Sequence, residues 1–433
     1  MKHYPFWWDA APGLRAGIQE SEPAARNVEF QSRTVDVAIV GAGYTGLSAA
    51  RSLAKAGASV VVLEREHVGA GASSRNGGQV LTGMKLDPAT LVDRYGERRA
   101  RELFDISLES IARLEAIIVE EAISCDYVRT GHLQAAWKPS HFEHFRVEQA
   151  LLARVFDHRV DLVPPGSQQS ELGSTRYHGL LVDERSGALN PAAYVHGLAL
   201  AACRAGAEIA SGTAADDAKR RGNRWTITTA RGEIDARDVL LATDTYTGPA
   251  SRVLRRRMVP IGSYVIATEP LPEAVSLKLL PRGRMAFDSK NFLYYFRLTA
   301  DLRLLFGGRA EFTQPNPDTI RRAAEVLRRG MVGVFPELAD TRVDYAWAGT
   351  VAFSRDQMPR AGRLDGMYYA GGYCGHGIAM ATCLGELIAR RMSGEAFEHP
   401  LLDDRFPPIP LYSGNPWFLP IVGAFYQVKD WIQ

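Results

Sequence analysis

Three glycines and one acidic residue form a pattern in this chain that can bind a dinucleotide. Gly41, Gly43 and Gly46 follow directly after the apolar run 35–40, and Glu64 comes 18 residues after the last glycine. In such a turn the first glycine allows a tight bend, the second lets a pyrophosphate approach the backbone, and the third lets a helix pack closely on a strand. The carboxylate at position 64 is then placed to accept a hydrogen bond from an adenosine ribose.

These residues need a βαβ unit to position them, and its elements follow in the right order. Residues 35–40 and 59–63 are β-rich apolar runs, and the segment between them predicts a helix that ends near Ala56. The pyrophosphate would lie at the N-terminus of this helix, where free N–H groups and the helix dipole favour negative charge. The sequence therefore predicts a Rossmann-type unit rather than a glycine-rich turn of another α/β protein.

Two later segments favour FAD over a nicotinamide dinucleotide. Residues 69–79 carry small side chains and backbone donors that suit a second pyrophosphate contact and a flavin contact. Near the C-terminus, a strand at 367–370 leads through a glycine-rich turn into a helix, whose N-terminus could face the flavin edge that becomes anionic on reduction. No second GxGxxG follows a strand, which argues against a separate nicotinamide domain. Electrons are therefore expected to enter from the substrate.

The predicted FAD contacts are spread over both halves of the chain. They come from the glycine turn, the end of the second strand, the segment 69–79, two pairs of small residues and the C-terminal turn. They are Gly41, Gly43, Tyr44, Thr45, Gly46, Glu64, Arg65, Ala72, Ser73, Ser74, Arg75, Asn76, Gly77, Gly78, Gln79, Thr213, Ala214, Ala242, Thr243, Gly371, Gly372, Gly375, His376, Gly377 and Ile378.

The predicted fold class is α/β, with a Rossmann-type FAD-binding domain interrupted twice by an α+β substrate domain whose sheet is mostly antiparallel. The β-rich runs 258–268, 291–297 and 303–309 predict that second sheet, and the cap at Asn316 predicts a helix after it. The predicted boundaries are 30–83, 189–257 and 356–400 for the FAD-binding domain, 84–188 and 258–355 for the substrate domain, 1–29 for an N-terminal lead with an aromatic patch, and 401–433 for a C-terminal tail.

The composition excludes several classes of function. The 433 residues carry a formal net charge of +2, so there is no strong global field for nucleic acid or an anionic membrane. No apolar run reaches the length of a membrane span, and neither the four cysteines nor the ten histidines show metal-ligand spacing. Because no signal-peptide pattern is present, we expect a cytoplasmic enzyme without structural disulfides, metal or nucleic-acid partner, and a homo-oligomer stays open.

Several segments resemble the FAD-dependent family of D-amino-acid oxidases, glycine oxidases and sarcosine oxidases, and within it they are most similar to γ-glutamylputrescine oxidoreductases. The resemblance covers nearly the whole chain. It rests on the segments 36–48 around the glycines, 73–79 (Ser-Ser-Arg-Asn-Gly-Gly-Gln), 267–271 (Ala-Thr-Glu-Pro-Leu), 303–309 (Arg-Leu-Leu-Phe-Gly-Gly-Arg), 347–349 (Trp-Ala-Gly), 373–377 (Tyr-Cys-Gly-His-Gly) and 416–420 (Pro-Trp-Phe-Leu-Pro).

The resemblance implies oxidation of a C–N single bond to an imine by hydride transfer to flavin N5. Hydrolysis would then give an aldehyde and ammonia from a small amine such as a γ-glutamyl amine, with oxygen or another acceptor reoxidising the flavin. Relatives with covalent flavin attach it to a cysteine in the segment matching 349–359 or to a histidine near Ser73, and this chain has neither, so we expect non-covalent FAD. Leu305 stands where sarcosine oxidases place an oxygen-activating lysine, which leaves the acceptor open.

Four side chains are candidates for direct contact with the reacting groups. The reaction needs a site that orients a C–H bond and stabilises the reduced flavin, so we expect no catalytic triad. His376 is the first candidate, because it lies in the turn expected to touch the flavin. Strand alternation makes Tyr295 a candidate for the cavity face, and Tyr264 and Trp347 are candidate aromatic walls for an amine. Packing in the core is the alternative role for these three aromatic residues.

Two other functions stay open on the sequence alone. A D-amino-acid or N-methyl-amino-acid dehydrogenase that feeds a quinone would need an arginine for the substrate α-carboxylate, and Arg75, Arg297 or Arg309 could supply it. A flavin-binding subunit of a hetero-oligomeric oxidase would keep the glycine motifs without having activity of its own.

Overall fold

The computed structural model describes residues 1–20, 33–308, 314–419 and 423, which form ten helices and eighteen strands. The helices are α1 (Phe6–Asp9), α2 (Pro12–Glu20), α3 (Tyr44–Lys55), α4 (Pro88–Glu120), α5 (Pro139–Phe156), α6 (Pro191–Arg204), α7 (Arg252–Arg255), α8 (Glu273–Leu279), α9 (Pro317–Val334) and α10 (Gly377–Met392). The strands are β1 (Arg33–Val40), β2 (Val60–Leu63), β3 (Gln79–Val80), β4 (His132–Ala135), β5 (Asp161–Val163), β6 (Leu180–Asp183), β7 (Gly187–Ala188), β8 (Glu208–Ala210), β9 (Asp217–Arg221), β10 (Arg224–Thr229), β11 (Gly232–Leu241), β12 (Met258–Thr268), β13 (Met285–Asp288), β14 (Tyr294–Leu298), β15 (Leu304–Gly308), β16 (Val343–Ser354), β17 (Arg360–Leu364) and β18 (Met367–Gly371).

The first of two eight-stranded sheets contains the predicted βαβ unit. Six strands follow one another in the order β17-β18-β11-β1-β2-β8, and β10 and β9 extend the sheet from β11. β1 runs parallel to β2 and β11, with Val37 opposite Val60 and Asp238. Alternate residues of β1 enter separate cores on the two faces of the sheet, which explains its uninterrupted apolar run. α3 and α10 lie side by side and cover one of these faces.

The second sheet has the strand order β16-β12-β15-β14-β13-β4-β6-β5. All its neighbouring strands pair antiparallel except β13 and β4, which pair parallel with Met285 opposite His132. α9 packs on one face through Ala324, Leu327 and Met331. The other face of this sheet is turned toward the first sheet and borders the cavity described below.

The chain passes between the two sheets in the predicted manner. Strands of the first sheet come from residues 33–241 and 360–371, and strands of the second come from residues 132–183 and 258–354. This alternation, together with the antiparallel second sheet, confirms the predicted α/β fold class. The individual domain boundaries remain a prediction.

Some elements form as predicted and others differ. α4 begins at Pro88 after the N-cap Asp87, and Gly96 breaks it because its backbone has φ of +74°. The cap at Asn316 forms as predicted and accepts hydrogen bonds from two backbone N–H groups of α9. The predicted strand 303–309 ends at Gly308, and position 309 lies outside the described residues. The pattern did not predict α5 or the twelve-residue β16.

Candidate functional site

A large cavity lies between the two sheets and has a volume of about 990 Å³. This is at the upper end of the range of roughly 300–1,000 Å³ for small-molecule sites. Lining residues in the ranges 40–79, 213–249 and 348–381 come mainly from the first sheet, and we call them the cofactor wall. Lining residues in the ranges 81–183 and 261–315 come mainly from the second sheet and α5, and we call them the substrate wall.

The glycine turn of the cofactor wall shows why two of its glycines are needed. Gly41 has φ of +107°, and a Cβ atom there would lie 2.8 Å from the carbonyl oxygen of Ala242. A Cβ atom on Gly46 would lie 2.0 Å from the carbonyl oxygen of Gly41. Because no side chain fits at that distance, α3 can approach β1 this closely only with glycine at position 46.

The N-terminus of α3 is open toward a ligand. Gly43 is its N-cap and provides no side-chain cap, although the N–H of Tyr44 donates to Ser73 Oγ at 3.1 Å. A Cβ atom on Gly43 would lie 2.9 Å from the same hydroxyl oxygen, so a larger residue would fill this approach. Helix N-termini without caps present N–H donors and a positive dipole end, which suit a pyrophosphate.

Glu64 is held in a fixed position at the end of β2. Its two carboxylate oxygens accept hydrogen bonds from the backbone N–H groups of Ala42 and Glu66, each at 2.9 Å. Burial raises the pKa of Glu64, and these two N–H groups oppose that rise. A carboxylate has further lone pairs after accepting two such bonds, so it can also accept from ribose hydroxyl groups.

The N-terminal aromatic residues hold the segment that follows β2. Trp7 Nε1 donates to the backbone oxygen of Asn76, and Trp8 Nε1 donates to Ser74 Oγ, both at 2.8 Å. The guanidinium of Arg75 lies over the Trp8 ring, 4.9 Å from its centroid. The aromatic patch of the predicted N-terminal lead is therefore part of the support for the cofactor wall.

His376 is placed at the N-terminus of α10 and lines the cavity. Its Nδ1 atom is buried and has no hydrogen-bond partner among the described residues. Burial lowers the pKa of His376 to about 3, with smaller contributions in the same direction from Lys85 and His132. The imidazole is therefore neutral at physiological pH. A buried polar atom without a partner is a place where a bound molecule can complete the hydrogen bonding.

Asp244 is a cavity residue that the sequence interpretation missed. Its Oδ1 accepts a hydrogen bond from the backbone N–H of Gly372 at 2.8 Å, which joins the end of β11 to the turn before α10. Burial raises the pKa of Asp244 to about 6. The available signal was its position directly after the predicted small pair at 242–243, at the carboxyl end of a parallel strand.

A row of residues across the second sheet forms the middle of the substrate wall. Strand register aligns Gln134, Phe287, Tyr295 and Gly307 on β4, β13, β14 and β15. The Tyr295 hydroxyl lies 3.2 Å from Ser263 Oγ, and a Cβ atom on Gly307 would lie 2.2 Å from the Tyr295 ring. The amide of Gln134 has no hydrogen-bond partner within the described chain. Tyr295 therefore supplies a fixed aromatic surface, and Gln134 supplies polar atoms for a ligand.

A buried polar network closes one end of the substrate wall. His158 Nε2 lies 2.7 Å from Asp183 Oδ2, and Thr82 donates to the same carboxylate at 2.6 Å. Burial alone would raise the pKa of Asp183, but the His158 hydrogen bond and the neighbouring imidazoles hold it well below its usual range. His132 Nδ1 lies 2.8 Å from Ser186 Oγ. These hydrogen bonds brace the wall, although His158 Nδ1 is buried and has no partner among the described residues.

The structure brings most predicted cofactor residues to the cavity. Those that do not line it are Gly46, Ser74, Gly78, Gly371 and Gly372. Gly46 allows α3 to pack closely on β1, and Ser74 accepts a hydrogen bond from Trp8. At least these two residues therefore support the cofactor wall without lining the cavity.

Two of the four catalytic candidates line the cavity, namely His376 and Tyr295. Tyr264 and Trp347 do not, because each is only 1% exposed and faces a hydrophobic core. Tyr264 packs in the core between the second sheet and α9. Trp347 donates from Nε1 to the backbone oxygen of Arg75 at 2.8 Å and so supports the cofactor wall. The expectation that Tyr264 and Trp347 form aromatic walls for an amine is wrong, and both residues pack in the core instead.

The arginines considered for an α-carboxylate are used within the protein. Arg297 Nη1 donates to the backbone oxygens of Gly78 and Leu189 at 2.8 and 2.9 Å, and Arg297 does not line the cavity. Burial lowers its pKa to about 10. Arg75 donates from Nε to a backbone oxygen of its own segment at 2.7 Å. Arg309 lies outside the described residues.

The residues present fit an FAD molecule. Two helix N-termini without side-chain caps, those of α3 and α10, meet at one cavity that is large enough for a dinucleotide. The fixed carboxylate of Glu64 lies beside the first helix, and the unpartnered Nδ1 of His376 lies beside the second. Each feature supplies an interaction that one part of a flavin dinucleotide requires.

The described residues also show what other chemistry they lack. They contain no group of three or more His, Cys, Asp or Glu residues arranged to hold a metal ion. All four cysteines are free. Within the described ranges, no helix is both long enough and apolar enough to cross a membrane.

Comparison with known families decides the assignment. The family model described as FAD dependent oxidoreductase (DAO) matches residues 36–391. The chain belongs to this family. It is an enzyme that uses FAD to carry out an oxidoreduction, which confirms the predicted family and cofactor.

Individual relatives cover nearly the whole chain. It is 33% identical over 408 residues to the γ-glutamylputrescine oxidoreductase of Escherichia coli K12, covering 92% of this chain and 94% of the relative. It is 34% identical to a probable oxidoreductase, OrdL, of Rhizobium meliloti, covering 92% and 93%. Among solved structures, glycine oxidase from Geobacillus kaustophilus superposes with a TM-score of 0.71 at 20% identity, covering 85% of this chain and 96% of that one. This last likeness supports the fold.

Proposed function

We propose that the enzyme oxidises the terminal C–N bond of a γ-glutamyl amine to an imine, which water then hydrolyses to an aldehyde and ammonia. The similarity to γ-glutamylputrescine oxidoreductase along 92% of the chain supports this substrate class. In the oxidation, one hydrogen leaves the carbon with its electron pair and the nitrogen loses a proton. FAD, when bound, supplies the acceptor for the electron pair.

The residues that line the cavity favour an amine as the substrate over an α-amino acid. Among the described residues, the arginines in the lining are Arg65 and Arg75. Arg65 lies beside Glu66 just past the end of β2, and Arg75 is bound to its own segment and stacked on Trp8. An α-carboxylate next to the reacting carbon is usually matched by a fork of two donors, and both of these guanidinium groups already have partners within the chain. A terminal amine has no such requirement.

The proposed cofactor contacts are the predicted residues that line the cavity. We assign the pyrophosphate to the N-terminus of α3 and the adenosine ribose to Glu64. We assign the flavin to the surface between Arg75, the turn 375–378 and Tyr295. The FAD is proposed to be non-covalent, because no cysteine or histidine stands at the attachment positions considered above.

The chain's own groups would orient the amine and balance charge rather than transfer many protons. The neutral His376 can form hydrogen bonds with a substrate amine without adding a charge of its own. The N-terminus of α10 favours negative charge at the same end of the cavity. The Tyr295 ring restricts how a substrate can lie against the second sheet.

Molecular oxygen is the proposed electron acceptor. Leu305 is buried in the hydrophobic core, so this position brings no charge to the cavity. Lys85 lines the cavity and is close enough to lower the pKa of His376. A cation at this end favours the transfer of an electron to oxygen, since the product of that transfer is an anion.

Product analysis tests the proposal. Purified holoenzyme should convert γ-glutamylputrescine in air to equal amounts of aldehyde, ammonia and hydrogen peroxide. The matched control is the same compound acetylated on its terminal amine, which should not react. Faster turnover of D-amino acids or N-methyl amino acids, with a quinone replacing oxygen, would indicate an amino-acid dehydrogenase instead. Activity that required a second polypeptide would indicate a flavin-binding subunit of a hetero-oligomeric oxidase.

A further inference from the structure

Glu148 is a carboxyl group of the substrate wall that has no use within the protein. It lies on α5 and lines the cavity. It is half-buried, and burial raises its pKa to about 7, with a smaller contribution from Asp87. No hydrogen bond or ion pair joins its side chain to any described residue.

The other buried or half-buried carboxylates that line the cavity differ from Glu148 in this respect. Glu64 is bound by two backbone N–H groups, Asp183 by His158 and Thr82, Asp244 by a backbone N–H, and Asp288 by Lys290 at 3.1 Å. Burying an unpaired carboxylate is costly, so proteins rarely keep one without a partner. Glu148 therefore has the environment expected for a group whose partner arrives with a ligand.

The position of Glu148 along the cavity indicates which part of a substrate it would meet. Lys85 is close enough to lower the pKa of His376, and Asp87 is close enough to raise the pKa of Glu148. The short segment 85–87 thus leads from the His376 end of the cavity to Glu148. Two residues of chain span at most about 7 Å. Because His376 and Glu148 both line the same cavity, an extended substrate whose amine is beside His376 can also reach Glu148.

We propose that Glu148 binds a second ammonium group of the substrate, at the end remote from the C–N bond that is oxidised. This inference rests on the proposed function and names the feature that selects the substrate. Two sources share this chemistry: the α-ammonium of a γ-glutamyl head group, and the second ammonium of a free diamine. An ammonium group can donate up to three hydrogen bonds, and Gln134 on the same wall offers an amide oxygen as a second acceptor.

Binding to the holoenzyme tests this assignment without requiring turnover. The first probes are γ-glutamyl-n-butylamide, which lacks the oxidisable amine, and glutaric acid mono-n-butylamide, which also lacks the α-ammonium. The second pair is 1,4-diaminobutane and 1-aminobutane, titrated anaerobically. Affinities are measured by calorimetry for the wild-type enzyme, Glu148→Gln and Glu143→Gln. Glu143 is the matched control, because it is exposed on the same helix and pairs with Arg146.

The expected result is specific to the variant and to the ligand. Glu148→Gln should weaken the binding of γ-glutamyl-n-butylamide at least about tenfold, because a charge-assisted hydrogen bond is lost. The glutaric amide should bind both forms equally, and Glu143→Gln should behave as wild type. If the variant loses affinity only for 1,4-diaminobutane, the ammonium group that Glu148 binds belongs to a free diamine.

Several results would overturn the inference. They are equal losses for ligands with and without the second ammonium, no loss for any ligand, or no binding of any ammonium-bearing probe to wild type. The proposed function is judged separately by product formation. If the enzyme turns over γ-glutamylputrescine but the Glu148→Gln variant binds every probe normally, the proposed function stands and the proposed role of Glu148 does not.

Discussion

The two walls of the cavity hold their polar groups in different ways. On the cofactor wall, Glu64 and Asp244 are fixed by backbone N–H groups, and the segment 72–78 is bound by tryptophan side chains. On the substrate wall, Gln134 and Glu148 have no partner among the described residues. The carboxylates of the cofactor wall are thus fixed by backbone groups, whereas the substrate wall, beside its bonded His158–Asp183 pair, keeps two polar side chains without a partner among the described residues.

This difference predicts where substitutions act. Changes on the cofactor wall should reduce FAD retention and stability together, since the same contacts serve both. Changes on the substrate wall should alter substrate affinity and leave FAD bound.

Gly46→Ala should have the largest effect. Its Cβ atom would lie 2.0 Å from a backbone oxygen, so α3 would have to move away from β1. We expect purification without FAD and a loss of about 3 kcal/mol or more in the free energy of unfolding. The measurements are the ratio of flavin to protein absorbance and chemical denaturation. Gly333→Ala is the control, because a Cβ atom on this exposed residue of α9 meets nothing within 4 Å. Normal FAD content in Gly46→Ala would contradict the role of the turn.

Trp7→Phe should weaken FAD binding without unfolding the protein. The substitution keeps a smaller aromatic ring at the buried position and removes the donor to the Asn76 backbone oxygen. We expect FAD affinity to fall about threefold to tenfold, as for the loss of one hydrogen bond. Titration of the apoprotein with FAD measures this, and Trp417→Phe, at a ring that is 65% exposed, should leave it unchanged. Equal affinities for all three proteins would show that the N-terminal residues do not support the cofactor wall.

Tyr295→Phe should affect the substrate and leave the cofactor in place. It removes the hydroxyl that lies 3.2 Å from Ser263 Oγ but keeps the aromatic ring in the wall. We expect KM for the amine to rise less than about fivefold, with FAD content unchanged. Steady-state kinetics and flavin content measure the two effects. Loss of FAD would mean that this residue belongs functionally to the cofactor wall.

The pH dependence of stability should report the neutral state of His376. Its pKa in the folded protein is about 3 instead of about 6.5, so the unfolded chain binds more protons between these values. Stability from this group is therefore complete above pH 6.5 and is lost as the pH falls toward 3. Between pH 7 and 5, the wild type should lose about 2 kcal/mol of unfolding free energy that His376→Asn does not lose, so the difference in stability between the two proteins should narrow by that amount. Denaturation of both holoenzymes, with His144→Asn as an exposed control, measures this, and a gap that stays constant would contradict it.

The sequence predicted the cofactor wall well because its signals are local. Gly41 and Gly46 are separated by one turn, and Glu64 follows the next strand, so spacing alone specifies the geometry. His376 was found for the same reason, since it lies between a strand and a helix that are adjacent in the chain.

The substrate wall depends on contacts between distant segments, and the sequence could not provide these. β4 and β13 are more than 140 residues apart but pair in parallel, which brings Gln134 next to Phe287. α5, which carries Glu148, was not predicted as an element at all. Alternation correctly favoured Tyr295, but it did not show that Trp347 would contact the segment behind the wall instead of the cavity.

Anaerobic mixing of the oxidised holoenzyme with γ-glutamylputrescine tests whether this amine reduces the flavin. We expect the visible band of the flavin to bleach in a single turnover, with a rate that saturates as the amine concentration rises. The terminally acetylated amine should not bleach the flavin. Bleaching by α-amino acids alone, with the γ-glutamyl amine leaving the flavin oxidised, would show that the enzyme does not oxidise γ-glutamyl amines.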